Sequence, residues 1–163
     1  MKTNRLFLLL ITVIIIGGCG RKMNNNYESV NQLVNEAQVG VVKITVQELK
    51  DIIDHTGDYK IIDCREKEEY IEGHVPAAVS IPRGIIEFSD KLSNRRETIY
   101  IYSQTNNRSA LAYNTLKLLK YNEVYVLDGG WEGWKNVFPQ LIELNDNTDE
   151  VKQAPKEEDT GEC

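Results

Sequence analysis

Two short stretches hold the residues best suited to chemistry. Asp63-Cys64-Arg65 sets a thiol between a carboxylate and a guanidinium. Ser103-Gln104-Thr105-Asn106-Asn107-Arg108-Ser109 sets hydroxyls, amides and one arginine in a single polar run. A free thiol ionises near about pH 8.5, so cysteine is the readiest nucleophile of this set. Asp63 and Arg65 flank the end of an apolar segment, and a structural salt bridge is the favoured reading for them over a chemical role. Cys64 either faces the same edge as the polar loop or is a small buried hydrophobe; the second reading is favoured. His74 lies between Gly73 and a Val-Pro turn with no thiol partner nearby in sequence, which suits a satisfied structural group better than a base. His55 reads as a helix-end residue. Trp131 and Trp134 read as packing groups, not a ligand cage. The three cysteines, Cys19, Cys64 and Cys163, are too few for a disulfide scaffold and lack metal-ligand spacing. No metal or cofactor is expected. Cys163 is left open: it could pair with Cys64, join another molecule or stay free.

The elements that must position these residues alternate between helix and strand patterns. Val30, Leu33, Val34 and Ala37 recur at helical spacing, so residues 27–38 suit a short helix docked on the domain. Ile44-Thr45 reads as a short strand. Thr45 then caps a helix over 46–55, with Glu48 three residues on as the second half of a capping box. Strands are expected at 60–63, 77–81, 98–102 and 123–127. Helices are expected at 66–72, 84–92, 109–120 and 130–137, the third of them strongly amphipathic. Gly129-Gly130 suits a tight turn into the last helix. Strands separated by helices of this length imply right-handed crossovers and a mainly parallel five-stranded sheet with helices on both faces. The fold class is therefore α/β, with one domain over 41–139.

Residues 61–82, IIDCREKEEYIEGHVPAAVSIP, resemble the signature of the rhodanese (sulfurtransferase homology) domain. The matching features are an apolar strand, Asp-x-Arg, Glu-x-x-Glu-Tyr, Gly-His-Val-Pro and a strand ending in proline. Residues 121–134, YNEVYVLDGGWEGW, resemble the family's last strand, its Asp-Gly-Gly turn and its tryptophan-bearing helix. The resemblance covers 41–137 in the right order.

The resemblance implies where the active-site loop lies. In the family that loop follows the central strand, begins with cysteine and closes with Arg-Ser. Here it runs from Ser103 to Ser109, with serine at the nucleophile position and Arg108 five positions on. This is the short loop of sulfurtransferases; related phosphatases have one residue more and also need the cysteine. Asn106 stands where the family has glycine, and asparagine tolerates left-handed backbone better than most residues. In such a loop, successive backbone N–H groups converge at a helix N-terminus to form an anion nest. Arg108 is expected to add a positive fork. An active member uses its thiolate to take the outer sulfur of a donor such as thiosulfate and passes it on from a persulfide. Ser103 is a far weaker acid, has no local base, and its oxygen holds no persulfide. Ordinary sulfurtransferase activity is therefore expected to be absent.

The first eighteen residues read as an address. Lys2 and Arg5 precede an apolar run over 6–16. Its length fits the roughly 7–15 residues of a signal-peptide core and falls short of the ~20 needed to span a bilayer. Ile16-Gly17-Gly18-Cys19 resembles the bacterial lipobox, which implies cleavage before Cys19 and acylation of that residue. Length, positive flank and cysteine context favour this over an uncleaved anchor. The expected product is a lipoprotein tethered through 19–40 to a bacterial cell or outer membrane, with its domain outside the cytoplasm. Formal net charge is −6, and residues 141–163 hold eight acids against Lys152 and Lys156, so this tail carries the whole of it. Residues 140–163 are expected to be disordered. No basic stripe is present, so nucleic acid is not an expected partner.

Two functions remain. One is a non-catalytic module that binds a small anion or a partner protein at the loop; a domain that merely spaces anchor from tail is a duller form of it. The other is an enzyme, either a sulfurtransferase using Cys64 or a serine-based activity at Ser103. The loop's chemistry favours the first, since fold alone does not settle function.

Overall fold

The computed structural model describes residues 27–55 and 57–144. In chain order the elements are α1 (Val30–Gln38), β1 (Lys43–Ile44), α2 (Val46–Asp54), β2 (Tyr59–Asp63), α3 (Lys67–Ile71), β3 (Ala78–Ser80), a 3-10 helix (Arg83–Phe88), β4 (Thr98–Tyr102), α4 (Asn107–Leu118), β5 (Val124–Leu127) and α5 (Gly130–Val137). The five strands form one sheet in the order β1-β5-β4-β2-β3, and every pairing is parallel.

The period-2 alternation of the strands feeds two cores. Ile62, Ile99, Ile101, Val124 and Val126 face one side, where Ala112, Tyr113 and Leu116 of α4 and Ile86 of the 3-10 helix cover them. Ile61, Tyr102 and Leu127 face the other, against Leu49 of α2 and Trp131 and Trp134 of α5. Sandwiching a parallel sheet between helices keeps both apolar faces from water. Thr45 caps α2 through the capping box with Glu48, as its spacing predicts.

Several boundaries differ from the sequence expectation. The segment expected as a helix over 84–92 is a 3-10 turn that starts at Arg83, directly after Pro82. Only Ile86 of it is buried, while Ile85 and Phe88 are exposed. One anchoring side chain holds a short tight turn but not a longer helix. Helix α4 is not one-sidedly amphipathic. Its inner side packs on the sheet and its outer side is covered by α1, where Asn114 Nδ2 donates to the Ala37 carbonyl at 2.7 Å.

The packed chain also continues past Pro139. Glu143 pairs antiparallel with His74 through two backbone hydrogen bonds of 2.9 and 3.0 Å. Trp134 Nε1 donates to the Leu141 carbonyl at 3.0 Å, and Leu141 and Ile142 pack on the second core. The domain therefore includes residues 140–144, which composition alone assigns to the tail. The apolar residues that interrupt the acidic run at 141, 142 and 144 are the signal for this. Residues 1–26, with Cys19 and the apolar run, and residues 145–163, with Cys163, lie outside the described residues. Among the described residues no helix is long and apolar enough to cross a membrane.

Candidate anion-binding site

The carboxyl ends of β2, β4 and β5 bring Asp63-Cys64-Arg65, the loop 103–109 and Asp128 to one edge of the sheet. Asp63 sits in register with Tyr102, and the Cys64 N–H donates to the Tyr102 carbonyl at 2.9 Å. This edge is where open α/β sheets hold their ligands.

The underside of the loop is tied to α5. Gly129 and Gly130 have φ of 77° and 57°, the left-handed region that glycine enters freely. A Cβ on Gly130 would lie 2.4 Å from the Ser103 carbonyl oxygen and 2.8 Å from that of Thr105. The Trp131 and Glu132 N–H groups donate to the Ser103 and Gln104 carbonyls at 2.8 and 3.2 Å. In a trans peptide the C=O and the next N–H point in opposite directions. With the carbonyls of Ser103, Gln104 and Thr105 turned to α5, the N–H groups of Gln104, Thr105 and Asn106 point away from it, and none has an acceptor among the described residues. They lie just ahead of the N-terminus of α4, where successive free N–H groups suit an anion nest.

Ser103 is buried and its hydroxyl is committed within the loop. Oγ donates to the Thr105 carbonyl at 2.6 Å and accepts the Ser109 N–H at 3.0 Å. It acts as a structural tie across the loop. Asn106 is not left-handed: its φ of −89° and ψ of 0° make it the start of α4. Its Nδ2 donates to Asp128 at 2.8 Å, and Asp128 also pairs with Lys43 at 2.9 Å. The amide therefore anchors the loop to the β5 turn, which a glycine there would not do.

Arg108 is placed differently from the expectation of an open fork. Its two terminal nitrogens lie 2.6 and 2.7 Å from the two oxygens of Glu69 on α3, and Glu66 lies 3.7 Å away. The Arg108 hydrogen bonds hold the Glu69 carboxyl below the ordinary carboxylate range. The sequence does not single out Glu69, since it is separated from Arg108 by 39 positions and reads there as part of a signature. Nor does it single out Asp128, which reads as part of a turn.

Cys64 comes closer to the loop than its sequence position suggests. Its backbone N–H is bonded to the carbonyl of Tyr102, the residue just before Ser103, and its side chain has no exposed surface. Burial, and then the charge of Asp63, push its thiol up to about 12, against the opposing pull of Arg108. A thiol so buried stays protonated at neutral pH.

Asp63 and Arg65 form the buried salt bridge expected of them, at 2.6 Å. His74 is held by the Tyr70 carbonyl at 3.0 Å and stacks on the Tyr70 ring. His55 ends α2, with Nδ1 2.6 Å from the Asp51 carbonyl. A cavity of about 350 Å³ opens beside the loop, lined by Arg65, Glu69, Glu72, Gln104, Trp131 and Lys135 among others.

The parallel sheet, covered on both faces, and the loop 103–109 at its carboxyl edge define an α/β domain. The profile of the Rhodanese-like domain matches residues 45–137, more than half of the chain, and the chain belongs to that family. The putative sulfur carrier protein YrkF of Bacillus subtilis is 30% identical over 100 residues, 61% of this chain and 54% of that protein. The thiosulfate sulfurtransferase GlpE of Tolumonas auensis is 26% identical over 80 residues, 48% of this chain and 74% of that protein. The chain spans 54%, 28% and 60% of the length of the first three curated relatives it matches. A crystal structure of a rhodanese-like domain protein from Staphylococcus aureus superposes with a TM-score of 0.58 at 27% identity, over 64% of this chain and 99% of that one.

Proposed function

We propose that this chain is a non-catalytic rhodanese-like module that binds a small oxyanion at the loop 103–109, held on the outer side of a bacterial membrane by lipid on Cys19. What supports the binding part is that the Ser103 and Gln104 carbonyls are bonded to α5, which leaves the N–H groups that follow them turned away from it, beside a Ser103 hydroxyl already bonded within the loop. Serine at that place leaves the cradle of the family without its sulfur-accepting atom. Lipid attachment rests on the sequence alone, on the apolar run ahead of Ile16-Gly17-Gly18-Cys19.

The competing reading is sulfur transfer through Cys64, and what favours it is the place of Cys64 at the end of β2, with its N–H bonded to the Tyr102 carbonyl next to Ser103. Its burial and raised pKa weigh against it. A sulfur carrier needs a thiolate that a donor can reach, and sulfur transfer is what the names of the relatives describe.

Thiosulfate-to-cyanide sulfur transfer by the full chain in detergent separates the two. In that reaction a thiolate takes the outer sulfur and releases sulfite, and the persulfide then yields thiocyanate to cyanide. The parent is expected at background and Ser103→Cys above it. Turnover by the parent that disappears in Cys64→Ser would sink the proposal and make Cys64 the sulfur carrier.

A further inference from the structure

The ion pair at the loop carries the non-catalytic binding reading one step further. We propose that Glu69 sets ligand selection at the loop 103–109: its carboxylate occupies the place on Arg108 that an incoming oxyanion takes, so a ligand binds only if two of its oxygens replace Glu69 on the guanidinium fork. The inference rests on the loop being an anion site.

The geometry of the pair is that of a ligand already seated. Both terminal nitrogens of Arg108 are taken, one oxygen each, at 2.6 and 2.7 Å. Two parallel charge-assisted bonds are the strongest arrangement this fork makes with an oxyanion. Glu69 is held in place from its own side as well, because its Oε2 accepts the Glu66 N–H at 3.0 Å in the cap of α3. Glu66 adds a second negative charge 3.7 Å from Arg108. With Arg108 neutralised, the nest offers an approaching ion only its peptide dipoles.

A monatomic anion meets those dipoles but has no second oxygen with which to open the fork. A small divalent oxyanion such as thiosulfate or sulfate has both the charge and the oxygens. The exchange is sterically open, since the side chains of Arg108 and Glu69 are each about one-third exposed. A displaced Glu69 has somewhere to go. It already lines the cavity beside the loop, whose wall also carries Lys135. The signature residue Glu69 therefore serves the site as an internal competitor.

The test is a titration of the full chain in detergent with sodium thiosulfate, followed by calorimetry and by tryptophan fluorescence, since Trp131 is bonded to the loop. Glu69→Gln removes the competing charge while its amide oxygen can still accept the Glu66 N–H. Asp58→Asn makes the same charge change on an exposed residue at the opposite end of β2. Glu69→Asp, which keeps the charge on a shorter stem, guards against a folding defect in the first variant. Glu69→Gln is expected to bind thiosulfate at least tenfold more tightly than the parent, Glu69→Asp to fall between them, and Asp58→Asn to match the parent. Chloride is expected not to compete in the parent. Equal affinity in parent and Glu69→Gln would overturn the role of Glu69 and leave the anion site standing. An equal gain in Asp58→Asn would overturn it as a general charge effect. Binding by none of the proteins would overturn the anion site itself, and this inference with it.

Discussion

Arg65 turns back on the carboxylate two residues before it, with Nη2 2.6 Å from Asp63 Oδ2 and Nε 3.0 Å from both oxygens. The same guanidinium donates to the Gly73 carbonyl at 2.7 Å and lies over the Trp131 ring, 4.6 Å from its centroid. One buried side chain thus joins the end of β2, the turn after α3 and the first turn of α5. Of these, α5 bonds the loop 103–109 directly, and the end of β2 bonds the Tyr102 carbonyl just ahead of it.

Breaking this pair from one side leaves a buried charge without its partner. Arg65→Leu or Asp63→Leu is expected to destabilise the domain by about 3–5 kcal/mol. The double replacement is expected to cost less than the two single losses added together. Urea unfolding of the three variants measures this; strict additivity would show that the two groups are not coupled.

Gly130 is where the loop and α5 come closest. Gly130→Ala puts a methyl group 2.4 Å from the Ser103 carbonyl oxygen in a left-handed backbone. Crowding and backbone strain together are expected to cost about 2–4 kcal/mol. The amide resonances of Gln104 to Asn106 should shift with it. A Cβ on Gly84, by contrast, would meet nothing within 4 Å, so Gly84→Ala is expected to change stability by less than about 0.5 kcal/mol.

Residues 140–144 belong to the folded domain. Removing 141–163 deletes the acceptor of Trp134 Nε1 and the strand partner of His74. The melting temperature should drop by several degrees, the scale on which a domain of this size loses about 1–2 kcal/mol. Removing 145–163 alone should leave it within a degree or so of the parent. Equal losses for the two truncations would argue against the pairing of Glu143 with His74.

Burial pushes the Cys64 thiol up to about 12. Iodoacetamide at pH 8 should therefore leave Cys64 unmodified in the native protein and label it once urea is added, as read from the peptide that carries it. The linkage has a definite sign. A thiol whose folded pKa is raised favours the folded state fully below the ordinary thiol value, and that contribution is lost as pH rises from there toward 12. The stability of the parent should fall over that alkaline range more steeply than that of Cys64→Val. Parallel curves would place the thiol in contact with solvent.

The sequence by itself determined the order of elements, the parallel sheet and the location of the loop. Period-2 and period-3.6 patterns are local, and so is the capping box at Thr45 and Glu48. The signature at 61–82 and the Asp-Gly-Gly turn are contiguous stretches, so the family and the place of Ser103 could be read without coordinates. The salt bridge of Asp63 with Arg65 was legible for the same reason, since its partners are two residues apart. What only the tertiary structure decided are contacts between distant positions. Arg108 reads as an open cation along the chain, and only the packing of α3 beside the loop shows Glu69 upon it. Cys64 reads as one residue of a strand end, and only the pairing of β2 with β4 sets it beside the strand end that leads into Ser103. The apolar residues at 141, 142 and 144 became part of the folded domain because His74 and Trp134 wait for that segment across the fold. Such pairings depend on which strands lie side by side, and strand order is a property of the folded whole.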